Sequence, residues 1–301
     1  MRFGNWKMEN YKTNKKKILI LGGSGFLGSH VCDALTNIGH KVTIYDIRSS
    51  KWINKKQKFV KGSLLDKQLL EKLIKNNQIV YNFAGVSDLD VAVKNPTSTI
   101  KFNILANAEI LKICAKHKII RYVYSSSIYA GSSQGGFYSA SKRAAEDYIK
   151  EFNHSLGINF TILRYGTVYG LRSGNNNSVT NIINYTKKNK KILYPGDKKS
   201  IRRYIHVKDA AEASVKILNN KYKNKCILLT GKKSIKIISF LKTLKKILKI
   251  KSKIKFMSKK RYGHYISKPA SYKILNAEKF RFKKMKDFEK EIKNLAQRSL
   301  K

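Results

Sequence analysis

A glycine-rich turn between an apolar strand and an amphipathic helix constrains this chain more than any other feature. The predicted strand Lys17–Leu21 runs into a segment whose glycines are Gly22, Gly25 and Gly28, and a predicted helix over Phe26–Ile38 follows directly. Three glycines at this spacing permit a tight turn, close approach of a ligand to the backbone, and close packing of helix on strand. The unit is typical of dinucleotide-binding folds, in which the helix N-terminus faces the phosphates.

The N-terminal half repeats this alternation of strand and helix. Further strands are predicted over Lys41–Tyr45, Lys58–Val60, Ile79–Asn82, Ile119–Ser125 and Asn159–Arg164. Helices are predicted over Leu69–Asn76, Thr99–Lys116 and Tyr138–Leu156. This order predicts an α/β fold of the Rossmann type, a doubly wound parallel sheet with helices on both faces.

After Arg164 the pattern loosens into a smaller C-terminal α/β substrate lobe. The helices predicted after Arg164 cover Ser178–Lys190, Lys208–Asn219, Ser234–Leu248 and Asp287–Gln297, and the strands predicted there cover Ser200–Val207, Cys226–Leu229 and Lys253–Met257. We expect residues 1–16 to be a disordered basic leader. Residues 17–170, with 200–230 added, are expected to form the large domain, and 171–199 with 231–301 the lobe.

The net charge of +46, from 64 Lys and Arg against 18 Asp and Glu, has two interpretations. One is a surface for nucleic acid or anionic lipid. The other is drift in composition, because the excess is mostly Lys beside abundant Asn and Ile, all with AT-rich codons. We favour drift, because the lysines are scattered along the chain, and nucleic-acid binding stays as the alternative. The charge should still steer anionic substrates towards the protein.

The sequence gives no sign of a membrane, a secretory route or a metal. No apolar run approaches the ~20 residues of a membrane span, and no secretory pattern opens the chain. Cys32, Cys114 and Cys226 lack metal-ligand spacing, and Cys32 and Cys114 are expected in the core. The expectation is a cytoplasmic protein without a bound metal.

Strand ends offer further candidates for a dinucleotide site. Asp46 closes the second predicted strand, near the offset of about 20 residues from the glycines at which an acidic side chain binds the adenosine ribose. Such a carboxylate would repel the 2′-phosphate of NADP, so NAD is the expected cofactor, although Arg48 lies close by. Residues 82–85, Asn-Phe-Ala-Gly, supply small side chains where the chain would pass under the pyrophosphate.

Tyr138 and Lys142 are the candidates for proton transfer. They lie four residues apart at the start of a predicted helix and therefore project from one face. We expect the Lys142 ammonium to lower the pKa of the Tyr138 phenol, so that it can exchange a proton near neutral pH. Ser125, Ser126 and Ser127 end a predicted strand at the same edge of the sheet, where one hydroxyl can bond the reacting oxygen.

The glycine turn, the strand-end serine and the Tyr-x-x-x-Lys pair follow one another in this order along the chain. In this respect the chain resembles extended short-chain dehydrogenase/reductases. It is most similar to UDP-glucose 4-epimerase-like members of the NAD-dependent epimerase/dehydratase family, from about Lys17 to Ile217. The resemblance implies that Ser127, Tyr138 and Lys142 are catalytic, with Ser126 as the alternative serine. The implied NAD-binding residues are Gly22, Ser24, Gly25, Phe26, Leu27, Gly28, Asp46, Arg48, Ser63, Leu64, Phe83, Ala84, Gly85, Asn103, Tyr138, Lys142 and Tyr165.

Two later segments extend the resemblance towards a substrate. Residues 163–170 resemble the family's LRYxNVYG, and residues 201–209 its VRDYIHVxD. The substrate-binding residues that this implies are Ser126, Thr167, Arg202 and Arg261. The alternative is that each arginine is an ordinary surface charge, and this alternative is stronger for Arg261 than for Arg202. His206 is expected to pack in the structure and not to catalyse.

Departures from the family pattern leave the sugar open. Ser63 replaces an Asp near the adenine, Thr167 an Asn, Gly166 a larger residue and Leu171 a Pro, and the loop from Ser127 to Tyr138 is short.

The reaction that the resemblance implies is 4-epimerisation of a nucleotide-diphosphate sugar through a transient 4-keto sugar. Tyr138 takes the proton of the 4-hydroxyl, and a hydride passes to NAD and returns to the other face of the ring. A nucleotide-sugar reductase that consumes NAD(P)H is the alternative. A dehydratase is disfavoured, because such relatives carry Asp-Glu where this chain has Ile128-Tyr129.

The resemblance also implies the partners. These are a nucleotide-sugar substrate, a place in cell-surface polysaccharide synthesis, and a homodimer formed through the helices 99–116 and 138–156 of each subunit.

Overall fold

The computed structural model describes residues 14–132, 134–174, 177–257 and 277–298. Its strands are β1 (Lys17–Leu21), β2 (Lys41–Asp46), β3 (Gln57–Lys61), β4 (Ile79–Asn82), β5 (Arg121–Ser127), β6 (Phe160–Tyr165), β7 (Thr167–Tyr169), β8 (Leu193–Pro195), β9 (Ile201–Arg202), β10 (Tyr204–His206), β11 (Lys225–Leu229), β12 (Ile235–Lys236), β13 (Lys255–Met257) and β14 (Glu278–Lys279). Its helices are α1 (Phe26–Asn37), α2 (Lys67–Lys75), α3 (Leu89–Lys94), α4 (Pro96–Thr99), α5 (Ala106–Lys116), α6 (Gly136–Leu156), α7 (Ser178–Asn189), α8 (Val207–Lys216), α9 (Ile237–Ile247) and α10 (Phe288–Arg298).

The main sheet follows the order β14-β11-β6-β5-β4-β1-β2-β3 in the described residues. All its neighbouring strands are parallel. The six strands from β3 to β6 have the doubly wound order 3-2-1-4-5-6, in which the direction of winding reverses between β1 and β4. This confirms the predicted Rossmann fold, and it opens a ligand crevice at the carboxyl ends of β1 and β4.

Alternation of side chains along β1 builds a core on each face of the sheet. Leu19 and Leu21 point into the core that contains residues of α2, α5 and α6. Ile18 and Ile20 point into the opposite core with residues of α1 and α8. A parallel strand covered on both faces reads as a continuous apolar run, which is why its bounds could be predicted from the sequence.

The lobe has its own apolar core, built from α7, α9, α10 and short strand pairs. Ile183, Leu241 and Leu295 are fully buried there or nearly so. The strand predicted over Ser200–Val207 is divided instead: β9 pairs with β12, and β10 pairs with β7.

Two further elements differ from the prediction. Residues 231–301 were expected in the lobe, but β14 adds an edge strand to the main sheet beside β11. The single helix predicted over Thr99–Lys116 consists of α4, a π-helical segment Ile100–Leu105, and α5. Wider π turns inside helices often occur at functional sites.

All three cysteines are buried free thiols, as expected for Cys32 and Cys114. No helix in the described part of the chain combines the length and apolarity that a bilayer crossing requires.

Candidate functional site

A cavity of about 850 Å³, which we call the glycine-turn cavity, opens at the carboxyl ends of β1, β2, β4, β5 and β6. It is lined by the turn between β1 and α1, by the ends of these strands and by Tyr138 of α6. This is the crevice at the switch point, where doubly wound folds bind their ligands.

Glycine is required at two positions of the turn. Gly22 has φ +77°, and a Cβ there would lie 2.7 Å from the backbone nitrogen of Ala84 after β4. A Cβ at Gly28 would overlap the carbonyl oxygen of Gly22. The turn can therefore pack against α1 and the β4 loop only without side chains, and the N-terminus of α1 stays open to the cavity.

Asp46 links the end of β2 to the glycine turn. Its Oδ2 accepts a hydrogen bond from the Ser24 backbone N–H at 3.0 Å, and its Oδ1 accepts a long one from the Arg48 N–H at 3.4 Å. The Ser24 hydroxyl oxygen is buried without a hydrogen-bond partner among the described residues. A carboxylate with remaining acceptor capacity beside an unsatisfied hydroxyl fits a ligand that carries hydroxyl and phosphate groups.

The structure distinguishes the serines at the end of β5. The Ser127 hydroxyl lies near the Tyr138 phenol, whose pKa it lowers against the effect of burial, and it accepts from the Tyr129 N–H at 3.2 Å. The Ser126 hydroxyl instead donates to Glu146 Oε1 at 2.5 Å. Ser127 is therefore the serine beside Tyr138, whereas the hydroxyl of Ser126, an expected substrate contact, is already engaged with Glu146.

The expected lowering of the Tyr138 pKa by Lys142 is not found. Burial raises the pKa of Tyr138 to about 12, opposed only by the hydrogen bond from Ser127. The Lys142 ammonium instead donates to the Ser125 carbonyl oxygen at 2.9 Å and to the Tyr124 hydroxyl at 3.2 Å. It lies 5.9 Å from the Tyr138 ring centroid, and burial lowers its own pKa to about 8, against the opposing effect of Glu146.

A buried carboxylate one turn after Lys142 holds α6 onto the sheet. Glu146 accepts from Arg164 Nε at 2.9 Å and from Arg164 Nη2 at 2.5 Å, in addition to the Ser126 hydroxyl. Glu146 is 1% exposed and Arg164 6%. The pair joins α6 to β5 and β6 directly beneath Ser127, Tyr138 and Lys142.

Asn103 fixes the loop that follows β4. Its Oδ1 accepts from the Val86 N–H at 2.8 Å, and its Nδ2 donates to the Val86 carbonyl and to the Ser141 hydroxyl of α6. It lies in the π-helical segment and is buried. Its part is therefore to order the wall of the cavity from behind.

A second cavity, of about 610 Å³, lies between the sheet edge and the lobe, and we call it the lobe cavity. Thr167 and Arg202 line it. The residues that it shares with the glycine-turn cavity are Ser87, Asp88, Ser127, Gly166 and Asn177. The two cavities therefore meet at the end of β5, beside the hydroxyl of Ser127.

The structure brings most of the predicted residues to these walls. Those that line the glycine-turn cavity are Gly22, Ser24, Gly25, Phe26, Leu27, Gly28, Asp46, Arg48, Leu64, Phe83, Ala84, Gly85, Ser126, Ser127, Tyr138 and Tyr165. Asn103 and Lys142 act from behind the wall, and the Ser63 carbonyl accepts from the Tyr45 hydroxyl at 2.7 Å. Arg261 lies outside the described residues.

Sequence reasoning missed Asp88 and Tyr129, both on the wall of the lobe cavity. Both follow the end of a parallel strand, so extending the strand-end argument past Gly85 and Ser127 could have found them. His206 is buried as expected: its Nδ1 accepts from the Lys208 N–H and caps α8. The described residues contain no group of three or more side chains suited to hold a metal ion.

Residues 18–228 match the profile of the NAD dependent epimerase/dehydratase family. The chain belongs to this family. It is similar to a putative UDP-glucose 4-epimerase of Methanocaldococcus jannaschii, with 32% identity over 239 residues, 72% of this chain and 78% of that protein. The resemblance seen in the sequence is thereby confirmed.

Solved structures share this fold. A UDP-N-acetylglucosamine 4-epimerase from Methanobrevibacter ruminantium, in complex with UDP-N-acetylmuramic acid, superposes with a TM-score of 0.82 and 26% identity, covering 95% of this chain and 98% of that one. A UDP-glucuronic acid 4-epimerase from Bacillus cereus, in complex with UDP-glucuronic acid and NAD, has a TM-score of 0.80 at 20% identity, covering 94% and 98%. The similarity to the Bacillus cereus enzyme shows a shared fold and nothing more.

The first prediction concerns the Glu146–Arg164 pair of this family member. Glu146→Gln leaves the Arg164 guanidinium buried without its counter-charge, so we expect the free energy of unfolding to fall by about 3 kcal/mol or more. Urea unfolding followed by circular dichroism measures this. Glu151→Gln, on an exposed position of the same helix, is the matched control. A loss below about 0.5 kcal/mol, as at an exposed ion pair, would show that the pair does not hold α6.

The second prediction is a pH dependence from Lys142. Its pKa is lowered from 10.5 to about 8, so between these values the unfolded state binds more protons than the folded state. Stability therefore rises with pH in that window, by on the order of 3 kcal/mol for this group. The difference in unfolding free energy between wild type and Lys142→Met, measured from pH 7 to 10.5, isolates it from other groups. A difference that stays constant with pH contradicts the buried ammonium.

Proposed function

We propose that this chain is an NAD-dependent epimerase that inverts C4 of a UDP-hexose or a closely related nucleotide-diphosphate sugar. The observation that carries the proposal is the meeting of two cavities at Ser127, with the Tyr138 phenol on the wall of the glycine-turn cavity beside it. A cofactor in one cavity and a sugar nucleotide in the other would place the reacting carbon between the nicotinamide and the phenol. The 4-epimerase relatives described above support the same reaction.

The glycine-turn cavity fits NAD. The open N-terminus of α1 and the glycine backbone would hold the pyrophosphate, and Asp46 would accept from the adenosine ribose hydroxyls. The unpartnered Ser24 hydroxyl is placed to donate to a phosphate. The carboxylate of Asp46 disfavours the extra phosphate of NADP, so NAD is the proposed cofactor. When bound, NAD accepts a hydride from the sugar and returns it, and the overall reaction needs no second substrate.

The chain's own residues control the proton. Tyr138 takes the proton of the sugar 4-hydroxyl and later returns it, while the Ser127 hydroxyl hydrogen-bonds the same sugar oxygen. Because burial holds the pKa of Tyr138 near 12, its phenolate needs stabilisation by positive charge within the closed site. The Lys142 ammonium is engaged with the Ser125 carbonyl oxygen at 2.9 Å, so this charge would have to come from the oxidised nicotinamide of bound NAD. A transient 4-keto sugar would have to turn within the lobe cavity before reduction.

A reductase or dehydratase is the runner-up, because the same serine, tyrosine and lysine serve these reactions. Dehydratase relatives place a carboxylate pair directly after the strand-end residue. Here Ile128 is buried in the apolar cluster with Leu228, and Tyr129 lines the lobe cavity. The segment therefore offers no acid–base pair, which favours epimerisation.

We also propose a homodimer through α6 and the helical stretch from α4 to α5. Ile100, Leu105 and Tyr148 are roughly half exposed on these helices. Pairing the same helices of two subunits would remove this apolar surface from water.

The third prediction tests the reaction. Purified protein incubated with UDP-glucose or UDP-N-acetylglucosamine, without added cofactor, should give the C4 epimer, detected by liquid chromatography or NMR. Tyr138→Phe removes the proton-transfer group, so we expect kcat to fall by about 10²- to 10⁴-fold. Bound NAD, released by denaturation and measured by mass spectrometry, should stay at the wild-type level.

Tyr148→Phe is the matched control, because Tyr148 lies on the same helix but lines neither cavity, and the change keeps the aromatic ring proposed for the dimer interface. Full turnover by Tyr138→Phe would remove the proposed proton-transfer group. A product that forms only with added NADH or NADPH would favour the reductase.

A further inference from the structure

We propose that Asp88 makes the sugar end of the site selective for neutral hexoses over hexuronic acids. The inference rests on the proposed function and names the class of sugar that the site accepts. Neither Asp88 nor the segment that carries it was expected to take part in binding.

Asp88 lies where a sugar ring would have to be. It is one of the residues shared by the two cavities, together with Ser127. A substrate whose 4-hydroxyl reaches Ser127 and Tyr138 must bring its ring to this junction. The C5 substituent is attached to the adjacent ring carbon, so it enters the same small volume. In a hexose this substituent is a hydroxymethyl group, and in a uronic acid it is a carboxylate.

The Asp88 carboxylate is held in place by its surroundings. Its Oδ1 accepts from the Val91 N–H at 2.9 Å and caps α3. Two residues earlier, both backbone polar groups of Val86 are bonded to the buried Asn103 side chain, which is itself bonded to Ser141 of α6. The carboxylate cannot swing away from an unfavourable ligand without breaking its bond to the Val91 N–H, and the backbone before it is anchored through Val86.

The described charged residues on the wall of the lobe cavity are mostly acidic, whereas the chain as a whole is strongly basic. In the whole sequence, Lys and Arg outnumber Asp and Glu by 64 to 18. Among the described lining residues of the lobe cavity, the charged side chains are Asp88, Asp90 and Arg202. Asp88 also lines the glycine-turn cavity, whereas Arg202 lines the lobe cavity alone. The acidic residue is at the junction, and the basic residue is where a diphosphate could lie.

A uronate carboxylate at the junction would meet a fixed negative charge, and like charges in a partly closed site are strongly disfavoured. A hydroxymethyl group meets no such penalty and can donate a hydrogen bond to Asp88. Its Oδ2 accepts no hydrogen bond from the described residues, so an acceptor is available. The same side chain therefore repels one class of substrate and can bind the other.

The fourth prediction compares three ligands on the NAD-loaded enzyme. Isothermal titration calorimetry gives the Kd of UDP, UDP-glucose and UDP-glucuronate, and we expect UDP-glucose to bind at least about tenfold more tightly than UDP-glucuronate. Asp88→Asn keeps an acceptor for the Val91 N–H and removes the charge. It should bring the ratio of the two Kd values to within about threefold. The ratio of kcat/KM for the two sugars should move in the same direction.

Asp66→Asn is the matched control, because Asp66 caps α2 through the Leu69 N–H at 3.0 Å and lines neither cavity. The control should keep the wild-type ratio. Equal or tighter binding of UDP-glucuronate by the wild type, or an unchanged ratio in Asp88→Asn, overturns the role of Asp88 while the proposed epimerase stands. Failure of all three ligands to bind overturns the proposed function, and this inference with it.

Discussion

The arrangement of the site depends on one buried carboxylate. Glu146 is surrounded by Arg164 of β6 and Ser126 of β5, and every bond that it accepts pulls α6 towards the ends of those strands. Burying such a pair costs desolvation and adds little to net stability, but it permits one geometry only. In that geometry Ser126 is turned back into the protein, Ser127 faces Tyr138, and the Lys142 ammonium reaches the Ser125 carbonyl. The functional side chains are thus placed by a contact that touches no substrate.

Charge acts at two ranges in this protein. The excess of basic residues gives the chain a positive field that attracts polyanionic nucleotides from a distance. At the junction of the cavities the sign is reversed, because Asp88 is the charged side chain among the described residues that the two cavities share. A long-range field and a short-range contact need not agree in sign, because attraction to the surface and discrimination within the site are separate steps.

Secondary-structure elements are predicted well from the sequence where the residue pattern follows directly from burial. The bounds of β1 and β4 were predicted correctly, because apolar runs between turn residues are what a doubly covered parallel strand requires. The glycine turn could also be predicted from the sequence. Gly22 has a positive φ, and a Cβ at Gly22 or Gly28 would overlap backbone atoms. These elements also carry the family resemblance.

The features that could not be predicted from the sequence depend on contacts between residues that are distant in the chain. The π-helical turn around Asn103 follows from bonds to Val86 and Ser141. The break between β9 and β10 follows from their pairing with different strands. The pKa of Tyr138 rises because the site is buried, and a Tyr-x-x-x-Lys spacing alone does not reveal where the ammonium points. Nothing in the sequence separates Asp88 from an ordinary helix cap, because its place on the cavity wall depends on the fold.

In the proposed reaction, hydride leaves C4 of the sugar and returns to the same carbon within one closed site. UDP-glucose carrying deuterium at C4, incubated in ordinary water without added cofactor, tests this step. The C4 epimer should keep its deuterium at C4, as seen by NMR and mass spectrometry. Loss of the label to solvent during epimerisation would contradict it, because a proton would then have replaced the hydride.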